Sequence, residues 1–165
     1  MLNVDQFRHL IVRPTLEYLG LHSPAAEELI MGTAAQESRF TYIHQLGTGP
    51  ALGLFQMEPA THNDIWANFL RYQHDLAGKA RDLVSPRYRN GDEVLSGALV
   101  GNLEYACAMC RIHYRRKKDP LPEANDVDGL GEFWKKHYNT PQGKGTVDEF
   151  VSNYYLLVKG EKDRV

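Results

Sequence analysis

Residues 92–114, DEVLSGALVGNLEYACAMCRIHY, decide the fold class. Val94, Leu95, Ala98, Leu99, Asn102, Tyr105, Ala106 and Met109 fall on one stripe of a helix and do not alternate as a half-buried strand would. The run is therefore expected to form the central helix of a mainly α protein. Pro120, Pro122 and Asn125 close it, Phe133, Trp134 and Tyr138 mark a short helix beyond, and Val147 to Val158 reads as a terminal one. Upstream, Ser85-Pro86 and Asn90-Gly91 are turn signals, and Pro59 opens a helix through Ile65, Trp66, Phe69 and Leu70.

Nearer the start, Phe7, Leu10, Ile11 and Leu19 share a face of a helix expected from about Val4 to Leu19. Gly20 stops it, and Pro14 is expected to kink or split it. Ser23 and Pro24 suit the N-cap and first position of a second helix, reaching about Ser38, although Glu27 falls one residue late for a capping box. Gly47, Thr48, Gly49 and Pro50 are loop chemistry, and a short extended or hairpin-like piece follows at 53–57.

With 165 residues, 42% hydrophobic and 24% charged, the chain holds material for one core, so a single domain over 1–165 is expected. No apolar run reaches the ~18 positions of a membrane span. The start, MLNVDQFRHL, lacks the basic-then-apolar layout of a signal peptide, so no export by that route is expected. A net charge of −2 offers no global positive field for a polyanion, which argues against nucleic acid as partner. Cys107 and Cys110 cannot form a disulfide lattice; within one helix they read as small hydrophobes, and no metal site is expected. The cations Arg111, Arg115, Arg116, Lys117 and Lys118 read as a solvated helix end. Gly143-Lys144-Gly145-Thr146 lacks the spacing of a phosphate loop, so no nucleotide or other cofactor is expected.

One charged residue sits where an apolar one belongs. Ala26, Leu29, Ile30, Thr33 and Glu37 follow the helical i, i+3, i+4 pattern, which puts Glu37 on the face that enters the core. Low-dielectric surroundings and the negative end of its own helix both disfavour its charge and raise its pKa. An acid that keeps its proton near neutrality can protonate the leaving oxygen of a glycosidic bond. The loop after Glu37 leads to Gly53-Leu54-Phe55-Gln56-Met57, an aromatic and a carboxamide fit to line a groove beside the carboxyl.

These residues resemble the soluble lytic transglycosylases and the related goose-type lysozymes. Ala35-Gln36-Glu37-Ser38-Arg39-Phe40 is similar to the family's Glu-Ser motif, and the run from Gly53 to Met57 with Glu58-Pro59-Ala60-Thr61 is similar to its Gly-Leu-x-Gln motif and following Pro-Ala-Thr. Asn102-Leu103 resembles the start of the third motif, with Ala106 in place of a common glycine and Met109 of a tyrosine. Tyr138-Asn139 resembles the fourth, with His137 in place of alanine and a departure through Thr140-Pro141-Gln142-Gly143.

The resemblance implies a lysozyme-like fold and cleavage of peptidoglycan glycan strands between N-acetylmuramic acid and N-acetylglucosamine. It implies Glu37 as acid/base, Ser38 as its polar neighbour, and Phe55, Gln56, Asn102, Tyr138 and Asn139 at the substrate, with the Tyr138 hydroxyl holding the glutamate. One glutamate would serve twice in a transglycosylase; a hydrolytic lysozyme would want a second acid, Glu58 or Asp64 being nearest in sequence. A wall enzyme without an export signal fits a bacteriophage product, freed through a holin-type pore or carried in the virion as a monomer or assembly component. A catalytically silent glycan-binding or structural virion protein on the same fold is the other class.

Overall fold

The computed structural model describes residues 1–161. α1 (Val4–Phe7) and α2 (Arg13–Leu19) are joined by a π turn, Arg8–Val12, and Gly20 ends the rod at φ 71°. The buried face is Phe7, Val12, Leu16 and Leu19, whereas Leu10, expected inside, is 65% exposed. A π turn carries an extra residue, so the buried face rotates across it, and Pro14, second residue of α2, has no N–H to continue the regular ladder.

α3 (Pro24–Ser38) opens as its sequence predicts: Ser23 Oγ accepts from the Ala26 N–H at 3.0 Å, with Pro24 at the first position. Glu27, late for the capping box, is buried and serves a different end. It accepts from Arg8, Arg13 and His22 at 2.8–2.9 Å, tying α3 to the first helical rod.

α4 (Pro59–Asn68) follows a compact loop, then α5 (His74–Asp82), a helix the sequence reading passed over. Its apolar face is carried by little more than Leu76, Ala77 and Ala80, a short stripe on a helix that is otherwise mostly charged or polar. Two short strands, β1 (Arg89–Asn90) and β2 (Glu93–Val94), pair antiparallel with Arg89 opposite Val94, turning at Gly91, whose φ is 62°.

The central helix therefore starts later than its apolar stripe suggests and is broken. α6 (Ala98–Gly101) gives way at Asn102 (φ −111°, ψ 99°) to α7 (Leu103–Arg115). Asn102 Oδ1 caps α7 by accepting from the Tyr105 N–H at 2.8 Å. Its Nδ2 donates to the Leu83 carbonyl at 2.7 Å.

α7 is buried from Tyr105 through Tyr114, and Cys107 and Cys110 lie within it as buried free thiols. The cations at its end are only partly the solvated group expected. Arg111 is buried with Nε donating to the Leu21 carbonyl at 3.0 Å, and Arg116 pairs with Asp64 at 2.6 Å.

α8 (Val127–Trp134) runs into a π turn, Lys135–Asn139; α9 (Val147–Asn153), opened by a Thr146–Glu149 capping box, runs into another, Tyr154–Val158. α3 and α7 form the middle of the molecule, with α2, α8 and α9 packed on them and one apolar cluster running from Phe7 to Phe150. The protein is mainly α, and among the described residues no helix is long and apolar enough to cross a membrane.

Candidate active site

Glu37 lies in the last turn of α3, and the chain reverses directly after it through Arg39 and Phe40, both at positive φ (52° and 54°). The neighbours of Glu37 are pinned from α9: Arg39 donates to Asn153 Oδ1 and Asn153 Nδ2 donates to Gln36 Oε1, each at 2.7 Å. Ser38 is buried, its hydroxyl donating to the Ala34 carbonyl at 3.2 Å.

Beyond the reversal, isolated bridges pair His44 with Leu52 and Leu52 with Met57, so the hairpin-like piece expected at 53–57 is present as a tight turn folded back on the preceding loop. Gly53 has a φ of 73°, and a Cβ there would stand 2.3 Å from the Leu99 carbonyl oxygen of α6. Since both the backbone conformation and a backbone neighbour oppose a side chain, Gly53→Ala is expected to cost about 3 kcal/mol, read as a lowered denaturant midpoint.

Gln56, at φ 47°, donates from Nε2 to the Gly53 carbonyl at 2.9 Å and also borders the groove. Phe55 points the other way. Its side chain is 1% exposed and packs against Phe7 at 6.3 Å, while its carbonyl accepts from the Tyr138 hydroxyl at 2.6 Å.

These elements enclose a groove of about 770 Å³. Glu37, Ser38, Gln56, Tyr138 and Asn139 line it, together with Tyr42, Glu58, His113, Trp134 and Lys144. Two expected substrate residues are absent from it. Phe55 is core, because the turn at Gly53 sends its ring inward, and Asn102 is a helix cap whose polar groups are both taken.

Asp64 is also outside the groove lining, held by Arg116 and Asn68, and its carboxyl is kept below the usual carboxylate range by those contacts. Of the two sequence candidates for a second acid, only Glu58 shares the groove with Glu37.

The group that touches the Glu37 carboxyl is one that sequence reasoning missed. Trp134 Nε1 donates to Glu37 Oε1 at 2.8 Å, whereas the expected partner, Tyr138, spends its hydroxyl on the Phe55 carbonyl. In the sequence Trp134 only marks a short helix; the structure buries it, and no periodic signal connects residues 97 apart in sequence.

Burial is the larger influence on Glu37 and pushes its pKa up to about 7, against the opposing pull of the Trp134 hydrogen bond. His113, also facing the groove, is pushed down to about 3 by burial and by nearby Arg116 and Lys117, so its ring is neutral at neutral pH.

Lys135 ties two groove-lining residues together, its Nζ donating to Asn139 Oδ1 and to the Gly143 carbonyl, both at 2.7 Å. The site thus presents the partly buried Glu37 carboxyl, able to carry a proton at neutral pH, beside the polar side chains that line the groove. Comparison of the chain with protein-family models, with curated proteins and with solved structures finds no match.

Proposed function

We propose that this protein is a lysozyme-like lytic transglycosylase that cleaves the glycosidic bond between N-acetylmuramic acid and N-acetylglucosamine in peptidoglycan, with Glu37 as both acid and base. The observation that carries the reading is Glu37 itself: a carboxyl lining a groove, its pKa raised by burial to about 7. The Glu-Ser and Gly-Leu-x-Gln resemblances around Glu37 and Gln56 supply the substrate class.

The chemistry requires one group in two states. Protonated Glu37 gives its proton to the leaving oxygen as the bond from that oxygen to the anomeric carbon breaks, and the bonding electrons go to the oxygen. The resulting carboxylate then takes the proton of the sugar's own 6-hydroxyl as that oxygen closes on the anomeric carbon. The product ends in an anhydro ring, and the enzyme is back in its starting state. A pKa near the operating pH serves both halves.

The test is mass spectrometry of muropeptides released from purified sacculi. Anhydro ends are expected. Reducing ends would instead support hydrolysis, a second reading favoured by the presence of Glu58 in the same groove. Absence of any released product would favour a glycan-binding role without cleavage.

A further inference from the structure

We infer that Trp134 is a positioning residue that fixes which oxygen of Glu37 carries the transferable proton: Oε1 is held as a permanent acceptor, and Oε2 is the acid. The inference rests on the proposed role of Glu37 and goes beyond it to the microscopic state of the site.

An indole N–H donates and cannot accept, so the 2.8 Å contact keeps Oε1 an acceptor whether or not the carboxyl is protonated. In the neutral acid the carbonyl-type oxygen is the better acceptor, which leaves the proton on Oε2. Trp134 is fully buried, and its indole N–H lies within hydrogen-bond reach of Oε1; breaking that bond would leave a buried donor unpaired.

The indole is fixed from behind by Phe150 of α9, whose ring stacks on it at 5.5 Å and 28°. Gly32, on the same helix as Glu37, makes room for that ring, since a Cβ there would lie 2.3 Å from Phe150 Cζ. Asn153, one turn further along α9, bonds Gln36 and Arg39 on either side of Glu37. One helix therefore grips both the donor and the turn that carries the acceptor.

When the Oε2 proton passes to the leaving oxygen, the Trp134 hydrogen bond becomes charge-assisted and strengthens, so the contact favours the proton-transfer product over the reactant. Packing alone would not require this; an unoriented carboxyl would sample both oxygens.

The first test is a pH titration of the ligand-free protein by nitrogen-15 NMR. The Trp134 indole resonance is expected to move with a midpoint near 7 in the wild type and to stay flat in Glu37→Gln. A flat resonance in the wild type overturns the inference.

The second test, in a Trp66→Phe background, replaces Trp134 by β-(3-benzothienyl)alanine, which keeps the bicyclic shape and the Phe150 stack but has sulfur in place of N–H. The Glu37 midpoint, read from its carboxyl carbon, is expected to rise, and kcat to fall about 10- to 100-fold with KM changed less than about twofold. An unchanged midpoint and kcat overturn it. The NMR titrations need no substrate, so failure of the proposed reaction and failure of this inference are separate outcomes.

Discussion

Glu37→Gln is expected to remove clearing of permeabilised Gram-negative cells, with the rate of turbidity loss falling about 1,000-fold or more, while the circular dichroism spectrum is unchanged. Glutamine has nearly the same shape and its carbonyl oxygen can still accept from Trp134, so the groove survives and only the proton is lost.

The same substitution carries a second expected effect of opposite sign. The folded-state pKa of Glu37 is raised, so its proton-linked contribution to stability is present below about 4.5, the ordinary value, and lost as pH rises through about 7. Above that range the wild type holds a poorly solvated carboxylate and the variant does not. Glu37→Gln should therefore be more stable than the wild type by about 2 kcal/mol at alkaline pH, with the difference closing toward acid pH. Wild-type kcat/KM should fall about tenfold per pH unit above the same midpoint, because the free enzyme must hold the proton. Equal clearing by the two proteins would remove Glu37 from the chemistry, and a stability difference that does not change with pH would contradict its raised pKa.

Glu27→Gln is expected to cost as much stability as Gly53→Ala, and with a pH dependence that the glycine substitution lacks. Burial alone would raise the Glu27 pKa; hydrogen bonds from Arg13, Arg8 and His22 overrule it and hold the carboxyl at about 2. The depressed pKa reverses the sign found at Glu37. The contribution is present above about 4.5 and is lost as pH falls through about 2.

Glutamine at this position removes the negative charge that two guanidiniums share. Arg8 keeps Glu28, which it contacts through two bonds of 2.9 Å, but Arg13 is left with Glu27's neutral replacement. A loss of about 3 kcal/mol at neutral pH is expected, seen as a lowered midpoint in urea. The loss should shrink as the wild type is taken below pH ~4, since protonation then does to Glu27 what the substitution does. A variant as stable as the wild type at neutral pH would mean that the cluster orients the first helical rod without stabilising it.

The two glutamates show how far residue spacing carries a reading. Both were anomalies in α3: Glu27 one place out of a capping box, Glu37 on an apolar stripe. Spacing identified Glu37 as a carboxyl entering the core, and its raised pKa follows from burial as expected, with the Trp134 hydrogen bond opposing the rise. For Glu27 the sequence offered only a misfit. Its partners Arg8 and Arg13 stand at the two ends of the π turn in the first helical rod, where period-based reading runs out of phase.

Asn102 and Phe55 illustrate the opposite error. Each sits in a segment that resembles a functional motif, and each is used by the fold instead: the first as a cap for α7, the second as core beneath the Gly53 turn. Side-chain type is legible in a sequence, but the side of the backbone on which it emerges is set by dihedral angles such as those at Gly53 and Gln56.

By itself the sequence determined the helical class, the buried run of α7, the N-cap at Ser23, the stop at Gly20 and the odd placement of Glu37. All of these depend on residues within a few positions of one another, where hydrophobic periodicity and capping chemistry act directly. Only the tertiary structure decided which residues share the groove with Glu37, that Trp134 rather than Tyr138 holds its carboxyl, and that the break at Asn102 separates α6 from α7. Those outcomes depend on contacts between segments distant in the chain, whose geometry is settled by packing in three dimensions and leaves no period in the sequence to read.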